Sequence, residues 1–261
     1  MFFTGASLIH FFKITLKNSF VYRWSVLFSV FGSVLFIAIS LFLWRFLYSG
    51  DAEMISYMTR YAIISNIIAM LYANGITYRI GERVASGDFA IDLIRPVNLF
   101  TMSWQAELAE IVSNFLLCGV PVILIYSPFL IMNAGYSNIH FALLAVALGH
   151  VLFLLIYSLL GFFAFILIEI WPFGRLLDDT IRLLAGGFIP LAILPGFLRT
   201  TANALPFRFL YSFPLELLLG TADEAKIFEN FCMLLFWIAA FALANLAVYR
   251  LALRKAVVQG G

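Results

Sequence analysis

Charged residues are scarce in this sequence, and the shortage excludes an ordinary soluble domain. Asp, Glu, Lys and Arg make up 11% of the 261 residues, whereas they make up about 25% of a typical globular domain. Hydrophobic residues reach 64%, and the mean hydropathy is +1.02. Because backbone groups in lipid must be satisfied within the chain, this composition predicts an all-α polytopic membrane protein.

Cysteine is nearly absent, and histidine is rare. Cys118 and Cys232 both fall inside apolar runs, so neither a structural disulfide nor a cysteine-based metal site is expected. The three histidines, His10, His140 and His150, lie far apart in the predicted topology. We therefore predict no metal site on this chain.

Motifs for nucleotide binding and hydrolysis are missing as well. Gly81 and Gly87 are the nearest pair to a phosphate-binding loop, but no Lys follows them at the required spacing. There is no H-E-x-x-H and no G-x-S-x-G. The net charge is only +2 and the basic residues are scattered, unlike a nucleic-acid-binding protein. The chain is predicted to be neither an enzyme nor a nucleic-acid partner.

Apolar runs predict six membrane spans. Their bounds are 24–47, 57–78, 108–130, 141–168, 183–198 and 227–249. Five Gly and Pro residues between Gly186 and Gly196 would interrupt a regular helix in the fifth span. Residues 199–226 stay apolar but contain more Pro and Gly, which favours outer re-entrant helices over another crossing.

The first 23 residues predict a helix that lies in the membrane interface. Lys13 and Lys17 share one helical face. Apolar residues occupy another face, namely Leu8, Phe12, Leu16 and Phe20. This division is typical of an interfacial amphipathic helix; a soluble amphipathic helix is the alternative.

The distribution of basic residues predicts the orientation. If both termini are cytoplasmic, eleven of the 16 basic residues lie inside. These are Lys13, Lys17, Arg23, Arg79, Arg83, Arg95, Arg175, Arg182, Arg250, Arg254 and Lys255. The polar segment, residues 79–103, and a loop at 169–182 then face the cytoplasm.

Carboxylates are absent from the middle of the predicted spans. Glu107, Glu110, Glu169 and Glu229 all fall at span ends. A carrier driven by an ion gradient normally needs ionisable groups at mid-membrane, so the sequence argues against that alternative. His150 lies well within a span, where a lone histidine more often bonds a neighbouring helix than relays protons.

The polar segment carries a motif that resembles a known family. Ser86-Gly87-Asp88-Phe89, followed by Asp92-Leu93-Ile94-Arg95-Pro96-Val97, resembles the cytoplasmic signature G-[ED]-[LF]…L-L-R-P. That signature belongs to membrane subunits of type 2 ABC transporters, in their six-span permease branch. The Gly- and Pro-containing stretch from Gly187 to Gly220 resembles the fifth span and outer re-entrant helices of the same family.

The resemblance implies a coupling helix, at about residues 81–93, that docks on a cytoplasmic ATPase subunit. The residues it assigns to this coupling are Gly81, Glu82, Arg83, Gly87, Asp88, Phe89, Asp92, Arg95 and Pro96. Glu107 and Glu110 are a candidate relay if they pair with an arginine of the polar segment. They could equally complement a helix dipole, and the segment could be a solvated loop.

The resemblance also implies a substrate path along spans two and five. Asn66, Met70, Ala73, Asn74 and Thr77 fall on one helical face of span two. These residues are smaller or more polar than their neighbours. A stripe that packs closely against another helix would look the same, so both interpretations stay open.

The expected function is therefore a permease subunit of an ATP-driven exporter in a prokaryotic plasma membrane. Its partners would be an ATP-binding cassette ATPase subunit, a second permease chain (identical or sister) and membrane lipid. ATP and Mg would bind to the ATPase subunit. This chain itself would bind no cofactor. The cargo would be amphipathic or lipid-like. The alternatives are an ion-gradient-driven carrier and a non-transporting membrane anchor or assembly factor.

Overall fold

A computed structural model describes residues 13–14, 17, 23–72, 75–88, 91, 99–131, 138–167 and 169–259. This part of the chain is helical and contains no strand, which confirms the predicted all-α class. Most of the predicted interfacial helix lies outside the described residues. So do five predicted site residues, namely Asn74, Phe89, Asp92, Arg95 and Pro96, together with Ala73.

The described residues form ten α-helices. They are α1 (Arg23–Leu47), α2 (Ala52–Ala69), α3 (Gly75–Ala85), α4 (Leu99–Asn114), α5 (Val120–Ile131), α6 (Ile139–Phe162), α7 (Trp171–Leu184), α8 (Gly196–Ala204), α9 (Ser212–Leu219) and α10 (Ile227–Gln259). A π-helical turn, Phe115–Gly119, joins α4 to α5 without a break in the helical path.

Four of the described helical segments are long and apolar enough to cross a membrane. They are Trp24–Leu47, Met102–Ile131, Ile139–Phe165 and Glu224–Leu251. These segments overlap the predicted first, third, fourth and sixth spans. The chain is thus a multi-pass membrane protein, and the total of six crossings stays a prediction.

The predicted second span, 57–78, is divided between two helices. Helix α2 starts at the N-cap Asp51, whose carboxylate accepts a hydrogen bond from the Met54 amide at 2.9 Å. It ends at Ala69, and α3 begins at Gly75. A Cβ at Gly75 would lie 2.8 Å from Arg79 Nη1. The glycine therefore leaves room for the arginine side chain at the start of α3.

The predicted fifth span, 183–198, is not one helix, and the predicted loop at 169–182 is wrong. That region forms α7, which ends in a glycine turn: the Gly187 amide donates to the Arg182 carbonyl at 2.8 Å, and Gly186 has φ +82°. Helix α7 is strongly amphipathic. Because its four charged residues lower the average hydropathy, a search for apolar runs misses it.

The predicted re-entrant region contains short helices rather than one long element. Helices α8 and α9 are joined by a single 3₁₀ turn, Pro206–Phe209. Gly220, at φ +72°, ends α9. Most of α9 is buried, including Phe213 and Leu215. How deeply these helices enter the membrane stays a prediction.

Helix α6 is the centre of the core, and its glycines allow close approach. It packs against α3, α9 and α10. A Cβ at Gly161 would lie 2.9 Å from Ile80 Cβ on α3, and one at Gly149 would lie 2.9 Å from the Phe209 carbonyl oxygen. Helix α1, in contrast, is peripheral, with large side chains such as Phe28 and Phe42 exposed.

Candidate functional site

An ion cluster ties the polar segment to the third predicted span. Arg79 on α3 pairs with Glu107 through Nη2, and its Nη1 lies 2.7 Å from Glu110 Oε1. The two glutamates are three residues apart and share a face of α4. Glu107 is fully buried. Of the pairings that the sequence allowed, the structure forms the one with Arg79, while the relay role stays a prediction.

The cluster is electrostatically unbalanced, because one guanidinium faces two carboxylates. Among the described residues, Glu107 Oε1 is buried and has no hydrogen-bond partner. Burial lowers the pKa of the Arg79 guanidinium, and the Glu110 carboxylate opposes this shift. Arginine nevertheless stays charged at all physiological pH values. Within the described part of the chain, Arg79 is the positive charge that pairs with the buried Glu107.

The predicted coupling residues that are described lie at the end of α3 and just beyond it. Gly81, Glu82 and Arg83 are in the helix, which ends at Ala85. Gly87 has φ +80°, which breaks the helix predicted over 81–93. Arg83 Nη1 lies 3.5 Å from Asp88 Oδ2 across this turn. The turn holds a partly exposed ion pair at the surface.

The predicted substrate-path residues do not stay together. Thr77 is fully buried, and its hydroxyl donates to the Tyr157 carbonyl at 2.7 Å. It joins α3 to α6, and its place on a substrate path stays a prediction. Met70 packs against the small apolar cluster around Ile37. Of the predicted set, Asn66 lines a cavity. The break between α2 and α3 separates Thr77 from Asn66 and Met70.

The cavity beside Asn66 lies between α1, α2 and the end of α7, and we call it the serine cavity. Its volume is about 380 Å³. The polar groups in its lining are Ser29, Ser33, Ser65, Asn66, Arg182 and Tyr211. A second cavity of about 240 Å³ shares Ala69, Arg182 and Tyr211 with it, and is also lined by Arg175, Asp178 and Asp179.

Two hydroxyl groups of α2 hold the end of α7 in place. Tyr61 donates to the Gly186 carbonyl, and Ser65 donates to the Gly187 carbonyl at 2.6 Å. Arg182 therefore lines the same cavity as Ser65 and Asn66. The sequence placed Arg182 in a cytoplasmic loop. Charges spaced three to four residues apart, from Arg175 to Arg182, were the signal that could have identified the helix.

The second cavity contains a hydrogen bond between helices. The Tyr157 hydroxyl of α6 donates to Asp178 Oδ1 of α7. The sequence predicts a loop at Asp178, whereas the structure places this carboxylate on α7, in the lining of the second cavity. The described residues contain no group of three or more His, Cys, Asp or Glu able to hold a metal ion.

Comparison with known proteins found one family. A family model described as "ABC-2 family transporter protein" matches residues 33–260, which is most of the chain. A comparison with curated proteins found no match.

Proposed function

Because the chain belongs to the ABC-2 family of transporter proteins, we propose that it is the permease subunit of an ATP-driven exporter. A permease of this family is a transmembrane component that works with an ATP-binding cassette subunit. ATP and Mg would be bound by that partner. We propose further that two permease chains, identical or sister, assemble with two ATPase subunits in a prokaryotic plasma membrane.

The observation that carries the coupling proposal is the Arg79 cluster. Helix α3 leads directly into the turn at residues 86–88, where the ATPase would dock. The same helix is joined through Arg79 to Glu107 on α4, inside the candidate span Met102–Ile131. Separating Arg79 from a buried carboxylate would leave an uncompensated charge. A push on the turn would therefore move α3 and α4 together.

The proposed path for cargo is the serine cavity. It lies against α1, whose outer surface is apolar and exposed, including Phe28 and Phe31. A polar cavity beside an apolar surface suits a molecule with a polar and an apolar part. This arrangement supports an amphipathic or lipid-like cargo that enters from the membrane.

The proposal is tested by purification of the tagged chain from native membranes in mild detergent, with mass spectrometry of the retained proteins. We expect a P-loop ATPase in a near one-to-one ratio with the chain, and ATP turnover in the eluate. Asp88→Lys should remove the ATPase, because it reverses a charge at the docking turn.

The matched control is Asp223→Lys. Asp223 pairs with Lys226 at 3.7 Å, so the substitution reverses the charge in another exposed ion pair, on the opposite membrane face in the predicted topology. It should leave the ATPase bound. If the wild-type chain purifies without any ATPase, the exporter proposal is wrong and the anchor alternative is favoured.

One observation favours a second candidate, the ion-gradient-driven carrier. Asp178 lines the second cavity and holds the Tyr157 hydroxyl, so a carboxylate does occur beside the proposed path. A carrier would transport its cargo in vesicles that lack ATP and would stop when an ionophore collapses the ion gradient. The exporter would instead require ATP.

A further inference from the structure

We propose that Arg182 binds the anionic head group of an amphipathic cargo in the serine cavity. The inference rests on the proposed function and names the class of cargo for the same path. Arg182 lines this cavity together with Ser65 and Asn66 of the predicted second span. An ionisable side chain that faces the interior of a membrane protein is costly and commonly marks a substrate pathway.

The contacts of Arg182 leave part of its guanidinium for a ligand. Its Cζ lies 5.8 Å from the centre of the Phe188 ring, and the side chain interacts with the Tyr211 hydroxyl. The stacked ring uses no N–H donor, and a guanidinium has five. A planar fork of donors fits phosphate or carboxylate oxygens.

The rest of the serine cavity suits an oxyanion. Ser29 and Ser33 contribute hydroxyl groups, and no acidic residue is among the described residues that line it. The Asn66 carboxamide oxygen is buried without a hydrogen-bond partner in the described part of the chain. Buried polar groups normally have partners, and half a turn of this carboxamide would present its NH₂ donors instead.

The charge distribution directs an anion to the serine cavity rather than to its neighbour. Asp178 and Asp179 line the second cavity together with Arg175. Their carboxylates repel an anion there, and the serine cavity has Arg182 as its charged group. Arg182 stands at the boundary, because it lines both cavities.

Two aromatic rings indicate that the ligand has an apolar part. Phe36 and Phe188 line the serine cavity, and their ring centroids are 6.2 Å apart. Both side chains are exposed, so they form an apolar rim. A head group at Arg182 would place its attached chain against this rim and the apolar surface of α1. The shared chemistry is therefore a phosphate or carboxylate group on an apolar chain, rather than a free anion.

The test measures binding of dodecyl phosphate to the purified full-length chain in dodecyl maltoside by microscale thermophoresis. We expect Arg182→Gln to weaken binding by about tenfold or more, because a charge-assisted contact is lost. Gly32→Phe should weaken it similarly. Gly32 lines the same cavity, and a Cβ there meets nothing within 4 Å, so this substitution adds a large side chain to the cavity lining and leaves the Arg182 charge in place.

The matched control is Arg199→Gln on α8, which removes the same charge outside both cavities. It should leave the affinity unchanged. Equal affinity in the wild type, Arg182→Gln and Gly32→Phe would overturn the proposal, and so would equally tight binding of dodecyltrimethylammonium. Equally tight binding of inorganic phosphate would overturn the amphipathic assignment and leave a site for a free anion.

Two features of this test distinguish failure of the anion site from misfolding of a variant and from failure of the proposed exporter. If Arg182→Gln does not fold, Gly32→Phe and the cationic amphiphile decide. Binding needs neither ATP nor the ATPase. If dodecyl phosphate does not bind at Arg182 but the ATPase is still recovered with the chain, the anion site is wrong and the proposed exporter stands. If dodecyl phosphate binds but no ATPase is recovered, the exporter is wrong and the anion site stands.

Discussion

The Arg79 side chain links the polar segment to a buried carboxylate on α4. Glu107 is fully buried, whereas the Glu110 side chain is 37% exposed. The two ion pairs therefore differ in what their loss would cost. A buried charge without a partner is strongly destabilising, while an exposed pair contributes little.

We predict that Arg79→Gln lowers the free energy of unfolding by about 3–5 kcal/mol, because Glu107 is left as an unpaired buried charge. Glu110→Gln should cost about 1 kcal/mol or less, since Arg79 keeps its contact with Glu107. Denaturant unfolding of both variants in the same detergent measures the difference. Equal losses would show that burial of Glu107 does not dominate the cluster.

At the scale of elements, the spacing between α6 and the outer helices depends on a glycine. A Cβ at Gly149 would lie 2.9 Å from the Phe209 carbonyl oxygen, which belongs to the backbone and cannot rotate aside, and 3.2 Å from the Tyr72 hydroxyl oxygen. The Tyr72 hydroxyl in turn donates to the Leu210 carbonyl at 2.7 Å. Helix α6 is thus held against the 3₁₀ turn by contacts that leave no room for a methyl group.

Gly149→Ala should therefore destabilise the protein by about 1–3 kcal/mol through overpacking. Gly32→Ala on α1 is the matched control, because a Cβ there meets nothing within 4 Å. The control should be neutral or stabilise by about 0.5–1 kcal/mol, as expected for alanine in a helix. Thermal unfolding in detergent compares the two variants. If Gly149→Ala were as stable as the control, the close approach would be wrong.

Helix α7 is the element that sequence reasoning treated as a loop. Its residues alternate between charged and apolar with a helical period, so no run of apolar residues marks it. A hydropathy search finds helices that are apolar all round, such as Trp24–Leu47. It does not find a helix that faces a polar cavity on one side. The location of Arg182 depended on this element and was therefore missed.

At the scale of the whole molecule, the predicted topology places the docking turn and the start of α10 on opposite sides of the membrane. Ser86 and Ala225 are both exposed and lie at these two ends. The only cysteines are Cys118 and Cys232, so a background without cysteine needs two substitutions.

In that background we predict that a membrane-impermeant maleimide labels Ala225→Cys in intact spheroplasts. Ser86→Cys should react only after the membrane is permeabilised, because the distribution of basic residues predicts cytoplasmic termini. Gel-shift or mass spectrometry of the labelled chain gives the result. The reverse pattern would place the docking turn outside and would rule out contact with a cytoplasmic ATPase.

The sequence by itself determined the membrane class, the helical fold and the family, because these depend on composition, on long apolar runs and on a local motif. It also indicated that Glu107 and Glu110 could pair with an arginine, since residues three apart on a helix share a face, but it left a helix-dipole role equally open. These properties depend on residues that are near one another in the sequence, so they can be predicted without knowing how the helices pack.

Only the tertiary structure decided which polar residues meet. The Thr77 hydroxyl donates to the Tyr157 carbonyl and so joins α3 to α6. Arg182 and Asn66 line one cavity because two hydroxyl groups of α2 donate to the carbonyls at the end of α7. Hydrogen bonds between residues more than 100 positions apart have no signature in the sequence of either segment. The serine cavity exists through these long-range contacts, so folding was needed to reveal it.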